Sequence, residues 1–171
     1  MTWTAPEITR PDGSLSAPEG EMLPGYLAFH RATLLHKCAG LTGEQLAVAP
    51  LPDSNLTLLG LVRHMAKVER TWFRIRFSAL PVEPLHFVEG RKDADFELLD
   101  PARAEEDYDR LVEEVRLADE AVAGVSMDTT FDLDGEAMSL RMIHLHMIGE
   151  YARHNGHADL VRQHLDGTTG A

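Results

Sequence analysis

Four stretches of this chain repeat apolar residues at helical spacing, and almost nothing alternates as a half-buried strand would. In the first, Glu21 to Ala39, Leu23, Leu27, Leu34 and Cys38 recur at spacings of four and seven. In the second, Thr57 to Ala79, a turn of about 100° per residue puts Thr57, Gly60, Leu61, His64, Val68, Thr71, Trp72 and Ile75 on one face. The third carries Ala104, Tyr108, Leu111, Val115, Ala118 and Val122, with acidic residues on its other faces. The fourth runs from Ser139 to about His164. Four such amphipathic segments bury their stripes against one another, so the fold class is all-α, a four-helix bundle.

Local signals punctuate these segments. Gly40 follows the first helix as a stop. Thr42 and Gln45 fit a capping box, with Leu41 and Leu46 placed to close over it. Pro81 ends the second helix, Asp100-Pro101 announces the third, and Gly124 stops it. The run Thr129–Glu136 alternates weakly around Asp134-Gly135, which reads as a small hairpin. Residues 81–100 show no period, and connections this long are often functional. A second helix of this length spans roughly 35 Å at ~1.5 Å per residue. The connection after it can reach about 66 Å at ~3.3 Å per residue, so it can cross the bundle and let the second and third helices run parallel. The domain division is a flexible N-terminal extension at 1–20, a bundle at 21–166 and a tail at 167–171.

The chain has 171 residues, one domain by length. Its 28 acidic and 16 basic residues give a net charge of −12, which argues against nucleic acid and anionic membranes as partners. The single cysteine, Cys38, excludes an internal disulfide, fits a reducing compartment and reads as a small buried apolar residue. No stretch approaches ~18 consecutive apolar residues, and the polar, Pro/Gly-rich start lacks a signal-peptide pattern, so the expected location is cytoplasmic.

The fourth helix holds polar residues where apolar ones are expected. With Glu150 at 0° on the helical wheel, His154 falls at about 40° and Ile143 at about 20°, which sets the Glu–His pair within the apolar stripe. A buried carboxylate needs a positive partner. Spacing of four residues places both side chains on one side of the helix, as bundle cores do to chelate metals. His64, on the inward face of the second helix, is the candidate third ligand. The other reading is that Glu150 pairs with an arginine and that His154 is a hydrogen-bonded core histidine. Two nitrogens and one carboxylate oxygen suit zinc most, and also nickel or iron, and three protein ligands leave open positions for water or substrate.

The run Leu61–Trp72 around His64 resembles the helix-two signature of the DinB-like superfamily, and Glu150-Tyr151-Ala152-Arg153-His154-Asn155-Gly156-His157 resembles its helix-four signature. Many members carry His-x-x-x-His followed by Arg-Gly-Gln. Here Glu150 stands at the first His, His154 at the second, Gly156 at the shared Gly and His157 in place of the Gln. The Glu variant is similar to that in the metal-binding bundle of mycothiol-dependent maleylpyruvate isomerase. The nearest branch is the mini-circle-protein group of actinobacterial DinB-like proteins.

The resemblance covers about residues 20–166. It implies a bundle with parallel second and third helices, a homodimer, a small-molecule substrate and a low-molecular-weight thiol cofactor such as mycothiol. The function expected from it is metal-dependent S-transfer or thiol-assisted isomerisation on a small electrophile. His64, Glu150 and His154 would be ligands, with His157, or His146, as a proton shuttle. The rival expectations are metal-dependent hydrolysis and a non-catalytic metal- or small-molecule-binding stress protein. Tyr151, Arg153 and Asn155 lie off the inward stripe and receive no role. The basic stripe Arg63, Lys67, Arg70 and Arg74 reads first as a face paired with acidic neighbours and second as an anion site. His30, Arg31 and His86 carry weaker signals for a place near the cavity.

Overall fold

The computed structural model describes residues 2–170. The chain runs through α1 (Glu19–Cys38), a short α2 (Gly43–Leu46) and α3 (Leu58–Glu69), which continues as a π-helical segment over Arg70–Phe77. A short α4 (Ala94–Glu97) and a 3-10 turn (Pro101–Arg103) lead into α5 (Ala104–Ala121). A hairpin, β1 (Thr130–Leu133) and β2 (Glu136–Ser139), precedes α6 (Leu140–Asp166). The structure is thus mostly helical with one small antiparallel sheet. No helix among the described residues is long and apolar enough to cross a membrane.

The local signals in the sequence account for most of the boundaries. Thr42 and Gln45 form the capping box in both directions. Thr57 Oγ1 accepts from Gly60 N at 2.8 Å, Asp100 accepts from Ala102 N, and Ser139 accepts from Met142 N, each satisfying an orphan donor of a helix start. In the hairpin, Asp134 and Gly135 both have positive φ (55° and 92°), the backbone a two-residue turn between twisted strands requires.

The directions of the long helices follow from their contacts. Arg63 bonds Asp107, Arg70 bonds Glu114 and Ser78 bonds the Ala121 carbonyl, so α3 and α5 advance together and are parallel. Arg141 bonds Glu19 and Asn155 bonds the His30 carbonyl, so α1 and α6 are parallel as well. The two pairs oppose each other, because His64 meets His154 while Phe73 meets His144. The connection after α3 therefore returns along the length of the molecule before α5 begins. The four basic residues of the stripe on α3 all bond to carboxylates: Arg63 to Asp107, Lys67 to Asp95, and Arg70 and Arg74 to Glu114.

Leu34, Cys38, Leu58, Leu61, Met65, Leu111, Ile143, Met147 and Val161 lie in one core. Burial pushes the Cys38 thiol up to about 12, so it is an inert core residue.

Three expectations are corrected. Tyr151 and Asn155, read as lying off the inward stripe, are buried on the core face of α6. That face is centred about 80° from Glu150 at ~100° per residue, so Glu150 lies at its edge, while His154 is buried within it but off its middle. On α3 the buried residues are Leu58, Leu59, Gly60, Leu61, Val62, Met65, Ala66 and Glu69, and His64 lies at their edge. The π-helical segment then has more residues per turn, which turns Phe73 inward and leaves Trp72 and Ile75 half-buried. The third correction is at the N-terminus. Ala5 is buried, its N–H donates to the Leu41 carbonyl at 2.9 Å, and its own carbonyl accepts from Gly40 N at 2.8 Å. Trp3 meets the Tyr108 ring edge-on, so these residues are not a free extension.

Candidate metal centre

His64 projects from α3 and Glu150 and His154 from α6, one turn apart. Each offers one ligand atom, and the three atoms lie within 4.8 Å of one another. The sequence-predicted set is therefore brought together in space, in an arrangement that could hold a metal ion. His154 Nε2 lies 3.5 Å from Glu150 Oε2, and the His64 and His154 ring centroids are 4.7 Å apart. Burial, and next the neighbouring His64 ring, push His154 down to about 4, so its imidazole is neutral at pH 7 with a lone pair to give.

Other groups touch these three side chains. His64 Nδ1 is 2.8 Å from Asp95 Oδ2, and the Phe96 ring lies 5.2 Å from the His64 ring. Asp95 is buried, and Lys67 Nζ is 3.3 Å from each of its oxygens. Burial alone would raise the Asp95 carboxyl. The hydrogen bond from His64 and the charge of Lys67 outweigh it and hold the group below the usual carboxylate range. His154 Nδ1 is 3.3 Å from His157 Nδ1. Glu150 Oε1 takes an ion pair from Arg153 at 3.2 Å.

The remaining sequence candidates lie elsewhere. His146 sits one turn before Glu150 but packs on Trp72, with ring centroids 4.3 Å apart. Arg31 bonds Glu69 and Asp119, away from the three ligand candidates. His30 packs edge-on against Tyr26 and Phe29. His86 adopts a positive φ of 51° in the long connection, and burial, helped by the Arg63 charge, pushes it down to about 4. Sequence reasoning missed Asp95 and Phe96, which stand in a stretch without periodicity; only the length of that connection hinted at a role.

No curated protein and no solved structure matches the chain. Residues 22–167 do match one family, described as mycothiol-S-transferase. The match spans α3, α5 and α6, all of α1 after its first three residues, and every residue of the cluster. With that coverage, the chain belongs to the mycothiol-S-transferase family, a DinB-like family.

Proposed function

We propose that the protein is a metal-dependent thiol S-transferase. In this reading His64, Glu150 and His154 hold one divalent ion, and mycothiol, or a related low-molecular-weight thiol, is transferred to a small electrophile. The observation that supports it is the convergence of two imidazoles and one carboxylate from distant parts of the chain, within a family named for mycothiol transfer. That donor set suits zinc best and also accepts nickel or iron. A bound divalent ion would supply thiol activation, because coordination deprotonates a sulfur that is otherwise mostly protonated at neutral pH.

The chain's own residues do the rest. Both rings have Nδ1 engaged, His64 by Asp95 and His154 by His157, which leaves each Nε2 as the coordinating atom. Arg153 steadies the Glu150 carboxylate from the solvent side. His157 reaches the centre through His154, so we assign it a positioning role instead of the direct proton transfer that the sequence suggested. Overall, the thiol S–H bond breaks with its proton released to solvent, and the sulfur bonds the electrophilic carbon. The leaving group departs with the electron pair of the bond that breaks.

The test is thiol transfer by metal-stripped protein reconstituted with zinc, using mycothiol and a chromogenic aryl halide. We expect zinc-dependent loss of free thiol that falls at least tenfold in His64→Ala. A rate independent of zinc and unchanged in that variant would overturn the reading.

A further inference from the structure

We propose that Asp95 is a positioning residue of the metal centre, fixing the His64 imidazole as the Nδ1–H tautomer and presenting its Nε2 lone pair to the ion. The inference rests on the ligand assignment above. An imidazole can coordinate through either nitrogen, and the bond made by the other nitrogen decides which. On His64 that bond runs 2.8 Å from Nδ1 to Asp95 Oδ2. An ionised carboxylate only accepts, so the shared proton belongs to the ring.

The clamp is built from several directions. The Asp95 side chain is only 2% exposed, so water does not compete for it. Lys67, one turn beyond His64 on α3, faces both carboxylate oxygens and compensates the buried charge. Arg63, the residue before His64, donates through Nε to the Asp95 carbonyl at 3.0 Å and binds the backbone of α4 to α3. Phe96 lies against the His64 ring itself. Gly60 leaves the space for that ring, since a Cβ there would come within 2.6 Å of Phe96 Cδ1. Three consecutive turns of α3 thus hold one short segment of the long connection over the outer edge of His64.

The two histidines are supported unequally. His154 has an imidazole partner, His157, at 3.3 Å. His64 has an anionic one at 2.8 Å. A carboxylate raises the basicity of the ring more than an imidazole nitrogen does, so Asp95 contributes more to metal affinity than His157.

The test compares zinc affinity of wild type, D95N and H157A by competition with a chromophoric chelator. It also reads the His64 tautomer in metal-free wild type from long-range 1H–15N spectra. D95N keeps the size of the side chain, and its apo melting curve shows whether packing survives. We expect zinc binding weaker by roughly ten- to hundredfold in D95N, a smaller loss in H157A, and a His64 ring protonated at Nδ1. Wild-type affinity in D95N, or His64 protonated at Nε2, overturns the inference. The tautomer alone decides if D95N fails to fold. Failure of the wild type to take up zinc would sink the ligand assignment and this inference with it, whereas zinc uptake indifferent to Asp95 sinks this inference alone.

Discussion

Arg31 of α1 meets Glu69 of α3 through two parallel hydrogen bonds of 2.7 Å, from Nε to Oε1 and from Nη2 to Oε2. Glu69 has no exposed surface, and the Arg31 side chain is 6% exposed. Tyr151 of α6 donates its hydroxyl to Glu69 Oε1 at 2.9 Å, and Asp119 of α5 takes Arg31 Nη1 at 2.8 Å. One buried carboxylate thus joins the long helices at the point where α3 becomes π-helical. A buried ion pair of this kind adds little net stability over an apolar replacement of both partners, but removing one partner strands a desolvated charge. Arg31→Met should therefore destabilise the fold by about 3–5 kcal/mol. Tyr151→Phe, which removes one hydrogen bond to a charged acceptor, should cost about 1.5–3 kcal/mol. Urea unfolding of the two variants gives both numbers, and an Arg31→Met protein as stable as wild type would show that the Arg31–Glu69 pair is dispensable to the fold.

Glu114 on α5 is a second buried carboxylate, gripped by Arg70 and Arg74 of the π-helical segment. Burial would raise its carboxyl, but the hydrogen bonds from the two guanidinium groups win and hold it below the ordinary value of about 4.5. A carboxyl depressed in the folded state stabilises the protein above its unfolded value, and that contribution fades as pH falls through the folded value. Stability should therefore drop on acidification below about pH 4.5, and the drop should be shallower in Glu114→Gln, which carries no titrating group. Unfolding free energies between pH 3 and 7 check this: parallel curves for the two proteins would remove Glu114 from the acid response.

Gly43 opens α2 directly against the start of α5. A Cβ there would collide with the Pro101 carbonyl oxygen and come within 2.8 Å of Ala104 Cβ. The first is backbone and the second is attached directly to it, in a segment fixed by the Asp100 cap, so neither swings aside as the far end of a flexible side chain would. Gly43→Ala should cost about 1–3 kcal/mol as an overpacked contact, despite the gain in helix propensity that alanine brings elsewhere. A melting temperature equal to or above the wild-type value would show that the α2–α5 contact yields easily.

What was legible in the sequence follows the range of each signal. The caps at Thr42, Asp100 and Ser139 and the Asp134-Gly135 turn act within a few residues, so their side chains identify them directly. The cluster of His64, Glu150 and His154 was legible because family motifs and i, i+4 spacing mark it. The phase of the helices was less so. Reading the core from apolar residues alone ignores Arg31, Glu69, Glu114, His144, Tyr151 and Asn155, all of which are buried. Arg31, Glu69 and Tyr151 satisfy one another across helices, Glu114 is held by Arg70 and Arg74, and Asn155 donates to the His30 carbonyl, and a pattern within one helix cannot reveal such partners. The π-helical turn at Arg70–Phe77 adds a further slip, since it changes the angle per residue midway through a helix. Asp95 had no local signature, because its role depends on the path of the crossover and not on any repeat.

The proposed ion would join α3 to α6, since His64 is on one and Glu150 and His154 are on the other. Anything that binds the folded state and not the unfolded one stabilises it by about 2.7 kcal/mol when present at a hundred times its dissociation constant. For a domain of this size each kcal/mol moves the midpoint by roughly 2–4 °C, so zinc should raise the melting temperature by roughly 5–10 °C over chelated protein. Glu150→Gln keeps the shape of the side chain but offers a neutral oxygen in place of an anionic one, and it should shrink both the bound zinc and the gap between the two melts. Elemental analysis and differential scanning fluorimetry of protein purified without an affinity tag measure the two quantities together. Stoichiometric zinc retained in Glu150→Gln would remove that carboxylate from the ligand set. Superimposable melts with zinc demonstrably bound to wild type would show that the unfolded chain holds zinc as tightly as the folded one.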